Sequence, residues 1–320
     1  MKLKVGTDFS GIGAPEQALK NLGIDFESVF ACEIDKYARQ SYSAIHDEPK
    51  RFYNDITKRD HREVEQLDLY VAGFPCQSFS MAGQRKGFDE TRGTLFFDVA
   101  EFIRINQPKC FILENVKGLL SHDKGRTYQT ITDILTNGGG TLNGQISIDL
   151  FDDGLGYHCI AQVLNTKDYG VPQNRERIFI VGFKDFRQFS FPIKEQLKLR
   201  LRDMLQDNPE SKYYLSDKMI KYLKKNQDKR AIPFADGSED YANCIVSIYY
   251  KSPTDGQYLE VDCVQSKIRR LTPLECWRLQ DFPDDAFVKA ADVCSDTRLY
   301  QQAGNSITVA VIQKIMQKIY

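Results

Sequence analysis

The run from Leu67 to Ala72 is apolar and stops against Gly73-Phe74-Pro75-Cys76. A short buried strand is expected there, because glycine and proline do not continue a central strand. The chain therefore leaves the sheet on a loop whose first residue past the proline is a thiol. In an open α/β sheet, the space beyond a strand's carboxyl end is where ligands bind. Backbone N–H groups of such a loop favour a thiolate, which makes Cys76 a candidate nucleophile. A small buried hydrophobe is the ordinary use of an unpaired cysteine, and the Pro-Cys context alone leaves that alternative open.

With 320 residues there is room for one large α/β domain and a smaller one. Hydrophobic residues make up 42% and charged residues 27%, the balance of an ordinary globular chain. No apolar stretch reaches membrane length, and Met1-Lys2-Leu3-Lys4-Val5 leads straight into a strand with no signal-peptide pattern. The eight cysteines form no CxxC pair, and the four histidines are not at ligand spacing. A reducing cytoplasm and no metal site are the expectation. Net charge is −1, so any polyanionic partner must be met by a local basic patch.

From the N-terminus, Lys2 to Asp8 reads as a strand, followed by Phe9-Ser10-Gly11-Ile12-Gly13-Ala14-Pro15. Two glycines permit a tight turn, Pro15 and Glu16 suit the first turn of a helix, and Gly23 ends that helix at Leu22. A second strand is expected over Ser28 to Ile34, with Glu33 twenty residues past Gly13. An acid at that place in a βαβ unit holds ribose hydroxyls. Glu16 stands where the dinucleotide fingerprint needs its third glycine, so an adenosine-containing ligand fits better than NAD or FAD. Asp55, before Ile56, is a further acid able to line the same pocket or to remain a solvated loop carboxylate. Gly83 to Gly93 is glycine-punctuated and charged, in the manner of a lid, and a helix from Thr94 to Asn106 follows.

The next strand, Lys109 to Leu113, is followed by Glu114-Asn115-Val116. In a parallel sheet Glu114 shares an edge with Cys76, which would pair a proton donor with a nucleophile, and a surface carboxylate is the alternative left open. A helix over Thr127 to Leu135 precedes a glycine- and aspartate-rich insertion near 138–156, to which no function attaches. Strands are expected at Ile160 to Leu164 and Ile178 to Phe183. Between them Arg175 and Arg177, two apart on an extended segment, point the same way. They suit a phosphate or a base carbonyl, and equally a surface ion pair.

Six stretches now stand in one order. They are Asp8-Phe9-Ser10-Gly11-Ile12-Gly13, Gly73-Phe74-Pro75-Cys76-Gln77, Glu114-Asn115-Val116, Gln173-Asn174-Arg175-Glu176-Arg177, Arg270 to Pro283 and Gln302-Ala303-Gly304-Asn305-Ser306-Ile307. Together they resemble the motif set of the DNA (cytosine-5) methyltransferases of bacterial or phage type, from residue 5 to about 310. The resemblance implies methyl transfer from S-adenosylmethionine to carbon 5 of a flipped-out cytosine in a short duplex sequence, leaving S-adenosylhomocysteine. It implies Cys76 as the nucleophile at carbon 6, Glu114 at ring N3 and the exocyclic amine, and Arg175 and Arg177 on the target nucleotide. Phe79 to Arg92 would close over the base. For the donor it implies Phe9, Gly11, Gly13, Glu33, Ile34, Asp55, Ile56, Gly73, Pro75, Leu95 and Asn305. Many members carry an aromatic residue where this chain has Ile34, which keeps dispersion against the adenine and loses stacking.

The expected fold is α/β, a Rossmann-like methyltransferase sheet, doubly wound and mostly parallel, with a smaller irregular target-recognition domain. Residues 1–185 with 302–320 would form the catalytic and donor-binding domain, and 186–301 the recognition domain and hinge. Between Val171 and Arg230 fifteen Lys or Arg face eight Asp or Glu. Lys218, Lys221, Lys224 and Lys225 lie among Tyr213, Tyr214 and Tyr222, a pattern that suits a phosphate backbone or a solvated helix face. The C-terminal stretch Ile307 to Ile319 reads as a core helix. Double-stranded DNA is the expected partner of a monomer, with a restriction endonuclease acting separately. A tRNA methyltransferase of the same fold and a silent DNA-binding relative are the rival readings.

Overall fold

A computed structural model describes residues 2–75, 95–136, 154–230, 234–235, 237–251, 257–262 and 267–320. Cys76, the 79–92 stretch and most of the 138–156 insertion lie outside the described residues. Seven strands make the main sheet: β1 (Leu3–Asp8), β2 (Phe26–Cys32), β3 (Arg51–Tyr53), β4 (Leu69–Gly73), β5 (Cys110–Val116), β6 (His158–Asn165) and, after the two-residue β7 (Gln173–Asn174), β8 (Glu176–Phe183). Their spatial order is β3-β2-β1-β4-β5-β8-β6. The first five are mutually parallel, and β8 runs antiparallel to both β5 and β6. The sheet is therefore doubly wound and mostly parallel, as expected, with its strand order reversing between β1 and β4.

Strand boundaries differ from the sequence expectation where pairing overrides the local apolar pattern, as in β6 (His158–Asn165) and β8 (Glu176–Phe183), which pair along their full length beyond Ile160 to Leu164 and Ile178. Strand β2 is Phe26–Cys32 and not Ser28 to Ile34, since its ladder with β1 runs from Leu3↔Phe26 to Asp8↔Cys32. Glu33 thus lies just past the strand. Strand β4 begins at Leu69, while Leu67 is buried ahead of it. Strand β5 continues through Val116 because β8 pairs with it as far as Val116↔Arg177.

Both faces of the sheet are covered at β4, β5 and β8, which is why these strands read as apolar runs, while the edge strand β6 alternates exposed and half-buried residues. Leu69, Val71, Ile112, Phe179 and Val181 face a core shared with α1 (Ala14–Asn21). Tyr70, Ala72, Phe111, Leu113, Ile178 and Ile180 face the other core. There α3 (Leu95–Asn106) contributes Phe96, Val99, Phe102 and Ile103, and α4 (Arg126–Leu135) contributes Ile131, Ile134 and Leu135. Helix α2 (Lys36–Ile45) is capped by Asp35, whose carboxylate accepts from the N–H groups of Tyr37 and Ala38.

The later chain holds α5 (Asp217–Arg230), short strands β9 (Phe234–Ala235), β10 (Ala242–Asn243), β11 (Tyr258–Asp262) and β12 (Lys267–Arg270), then α6 (Pro273–Arg278), α7 (Asp284–Ala291), α8 (Asp296–Asn305) and α9 (Val309–Ile319). Strands β9, β11 and β12 form a small sheet, and β10 pairs with β7. Under α5, Ile220 and Leu223 pack with Tyr258 and Ile268, while Lys218, Lys221, Lys224 and Lys225 stay exposed. Helix α6 opens with a capping box between Thr272 and Glu275, and Glu275 also holds Arg269 in a buried two-bonded pair at 2.8 and 2.9 Å. Helix α9 returns to α1, where Asn21 donates to Gln313 at 3.0 Å.

Gly304 marks the closest approach between α8 and the segment 246–247. A Cβ there would lie 2.1 Å from the Ser247 nitrogen and 2.3 Å from the Val246 carbonyl carbon, both backbone atoms. Gly304→Ala is therefore expected to lower unfolding free energy by about 1–3 kcal/mol or more, the cost of overpacking where neither side can yield. Chemical denaturation measures the loss, and hydrogen exchange should locate it at 244–249.

Candidate active site

The carboxyl ends of β1, β2, β4 and β5 share one edge, at the point where the strand order reverses. A cleft opens there, lined by Thr7, Asp8, Phe9, Ser10, Gly11, Ala14, Pro15, Val71, Gly73, Glu114, Asn305, Ser306 and Ile307. Thus Phe9, Gly11, Gly73 and Asn305 meet in one place, beside Glu114.

The turn after β1 is shaped by the residues named from sequence together with His46, which sequence reasoning passed over. Phe9 and Gly11 each have a φ of 55° and Gly13 a φ of 78°, so the backbone turns left-handed three times within five residues. At Gly13 any Cβ would meet the His46 ring at 2.3 Å. His46 is buried, with Nε2 3.0 Å from the Ile12 carbonyl and Nδ1 3.1 Å from the Lys20 ammonium. Burial, with Lys20 beside it, pushes its pKa down to about 3, so the ring is neutral and donates to Ile12. Glu16, in the third-glycine position, is buried and accepts from Tyr42 at 2.9 Å and Thr7 at 3.1 Å. Burial raises its pKa.

Beneath the turn, Asp8 and Arg59 form an ion pair with no side-chain exposure on either partner. Both guanidinium nitrogens donate at 2.8 Å, and Tyr70 adds a third donor at 2.7 Å. The guanidinium lies 4.3 Å from the Phe30 ring centre and 4.6 Å from that of Phe102. Arg59 follows a single 3-10 turn, Ile56–Lys58, and no motif announces it.

Glu33 is positioned by backbone. One oxygen accepts from Gly11 at 2.9 Å, the other from Asp35 at 2.8 Å. Burial raises its pKa, and those two N–H groups offset part of the rise. The next residue, Ile34, is 75% exposed. Asp55 caps the short turn through Thr57, bonding its N–H at 3.0 Å and its hydroxyl at 2.8 Å, which lowers its pKa. Ile56 is buried behind it, and Leu95 is half-buried at the start of α3. Asp98, in the first turn of α3, was not singled out from sequence. Burial, then the charges of Asp55 and Asp8, push it up to about 6.

Glu114 stands at the other end of the cleft. The register pairs it with Gly73 on one side and Phe179 on the other. A Cβ at Gly73 would sit 3.4 Å from Glu114 Oε2, so the bare glycine leaves the carboxyl room. Burial raises the pKa of Glu114, and the Arg177 and Arg175 guanidiniums pull it part of the way back. Arg177 Nε lies 3.1 Å from Glu114 Oε1. Arg175 turns inward and is buried. Its Nη1 donates to the Ile245 carbonyl at 2.9 Å, and its Nη2 to the carbonyls of Gly304 at 3.1 Å and Ser306 at 2.8 Å. The two guanidiniums converge on Cys244, at 3.5 Å from Arg175 and 3.9 Å from Arg177. Pro75, next to Cys76, is exposed at the cleft edge.

A doubly wound sheet with an acid-anchored glycine turn at its switch point and a largely buried carboxyl beside it is a Rossmann-like, nucleotide-type architecture, the fold shared with solved methyltransferases. The profile of the C-5 cytosine-specific DNA methylases matches residues 7–320, and the chain belongs to that family. It is a DNA (cytosine-5) methyltransferase, and family and fold together imply S-adenosylmethionine as its donor. Similar proteins include the Type II methyltransferase M1.ScrFI of Lactococcus lactis subsp. cremoris, 36% identical over 99% of this chain and 78% of that protein. The Type II methyltransferase M.HpaII of Haemophilus parainfluenzae is 38% identical over 97% of this chain and 87% of its own length. The solved Dnmt2 methyltransferase of S. pombe shares the fold, with a TM-score of 0.76 at 18% identity, covering 99% of this chain and 97% of that one.

Arg59→Met strands Asp8 in the core without its cation. A loss of about 3–5 kcal/mol in unfolding free energy is expected, the usual cost of removing one partner of a buried pair. Urea titration measures it. Adding Asp8→Leu to that variant is expected to recover much of the loss.

Proposed function

We propose that this chain transfers a methyl group to carbon 5 of a cytosine flipped out of a short, specific duplex sequence, through a covalent bond from Cys76 to carbon 6. Its place would be in a bacterial cytoplasm, as the modification partner of a restriction endonuclease, as the Type II names of its relatives suggest. The observation that carries the chemistry is the largely buried Glu114 side chain, held by Arg177 on the sheet edge that also ends at Gly73, three residues before Cys76.

Carbon 5 of cytosine is a weak nucleophile. Addition of the Cys76 sulfur to carbon 6 displaces the ring's electron pair toward N3, and carbon 5 becomes the nucleophilic end of an enamine. The charge at N3 needs a proton. Glu114 suits this role because burial favours its protonated form at the moment of attack. Arg177 holds one carboxyl oxygen, so the other is left to face the base. S-adenosylmethionine, when bound, supplies the methyl group as a sulfonium with a neutral thioether leaving group. Loss of the carbon 5 proton to a base then lets the Cys76 sulfur depart as a thiolate, and the N3 proton returns to the Glu114 carboxylate, which restores the ring.

For the donor, the residues present fit an adenosine. Glu33 offers an oriented carboxylate for ribose hydroxyls, while Phe9, Ile34 and Ile56 offer apolar surface, with Asp55 at the adenine and Gly13 shaping the turn. Asn305, exposed at the end of α8, serves the methionine end. Gly73, Pro75 and Leu95 complete the wall. Arg175 serves the target nucleotide through the backbone it holds. Extruding the cytosine costs a few kcal/mol, which contacts from the exposed α5 lysines to phosphates help to offset. Residues 186–301 would choose the sequence, and 1–185 with 302–320 would carry the chemistry.

Bisulfite sequencing of duplex DNA incubated with enzyme and donor, with tRNA treated in parallel, tests the reading. Wild type is expected to protect one short duplex sequence, and Cys76→Ser to protect none while still binding donor. Protection of tRNA alone, or turnover by Cys76→Ser, would overturn it.

A further inference from the structure

At the corner between β2 and α2, Arg39 makes contacts that the chemistry above does not use. The last pairs of β2 with its neighbours are Asp8↔Cys32 and Cys32↔Tyr53. The Glu33 N–H still bonds the Tyr53 carbonyl at 3.1 Å. Beyond it the carbonyls of Glu33 and Ile34 have left both ladders, and α2 has not begun. Arg39 takes up both. Its Nη1 donates to the Glu33 carbonyl at 2.6 Å and to the Ile34 carbonyl at 2.9 Å. A long side chain on a helix leans back over the preceding turn, which lets Arg39 reach residues six and five positions earlier. The guanidinium is half-buried there.

We infer that Arg39 is a positioning residue for the methyl donor, fixing the backbone that carries Glu33 and Ile34. This rests on the donor reading above. Two carbonyls that share one guanidinium nitrogen must both point at it, which narrows the backbone angles between them. The same short stretch is held from its other side, where the Glu33 carboxylate accepts from the N–H groups of Gly11 and Asp35. Main chain and side chain of the acid are thus fastened separately. Ile34 is exposed, so packing of its own side chain does little to hold the corner. A corner set in advance binds a ribose without the cost of ordering it.

The test uses the full chain with Arg39→Ala, Arg39→Lys and Glu33→Ala, S-adenosylmethionine, and a duplex that the wild type methylates. Arg39→Ala is expected to raise the donor Kd by calorimetry about tenfold, the scale of one charge-assisted hydrogen bond. Arg39→Lys keeps a cationic donor able to reach the same carbonyls, and recovery to within about threefold of wild type is expected. Methylation rate at saturating donor, and duplex affinity, are expected to stay within about twofold in both variants, since uniform donor binding is what is lost. In a Glu33→Ala background, Arg39→Ala is expected to add less than about threefold, because the two act as one unit. An unchanged donor Kd in Arg39→Ala would overturn the proposal. So would a matching loss of saturated rate and duplex affinity, or a full additive loss in the Glu33→Ala background. If Arg39→Ala does not fold, Arg39 is a folding residue and the proposal also fails. Wild-type donor affinity in Glu33→Ala alone would instead overturn the donor reading beneath it.

Discussion

The parallel register of β1, β4 and β5 is the constraint on which the site depends. It sets Asp8 beside Ala72 and Gly73 beside Glu114, so three chain segments arrive at one edge in step. Side chains alternate across a sheet, and a slip of one residue would turn Glu114 into the core and Asn115 into the cleft. The register is held by burial on both faces, where Val71 and Ile112 face one core and Ala72 and Leu113 the other. The chemistry is thus positioned by hydrophobic packing at some distance from it.

Two carboxyl groups at this edge, Asp8 fully buried and Glu114 largely so, are held in different ways. Asp8 is saturated: Arg59 supplies two hydrogen bonds and Tyr70 a third, and no surface of the pair reaches solvent. Such a group is an anchor, and it fastens the chain where Phe9 enters its left-handed turn. Among the described residues, Glu114 is held by Arg177 through one oxygen, beside a glycine that offers no side chain. Its remaining capacity faces the cleft, and its raised pKa suits a proton donor.

Much of this was legible in sequence. The glycine turn, the acid after β2, the strand end at Gly73 and the acid on β5 announce a nucleotide-type fold, because turns and strand ends need particular residues. The small departures at β2 and β5 arise where a partner strand extends or shortens an element, which no local pattern records. Arg59 was invisible because its task is set by an aspartate 51 positions away and by aromatic rings from two other elements. Arg175 was visible as a motif residue, yet sequence carries no sign that its donors are taken by carbonyls at 245, 304 and 306. His46 shows the same limit, since its contact with Gly13 exists only after α2 folds back on the turn.

The central claim is that the sulfur after Gly73-Phe74-Pro75 does the chemistry beside Glu114. A duplex with 5-fluorocytosine at the target cannot lose the group on carbon 5, so the addition product persists. Enzyme incubated with that duplex and S-adenosylmethionine, then digested and mapped by mass spectrometry, reads the claim directly. The expected result is a methylated fluorocytosine adduct on the peptide bearing Cys76. An adduct on Cys244 or another cysteine, or methylation of unsubstituted duplex with no adduct on the fluorinated one, would contradict it.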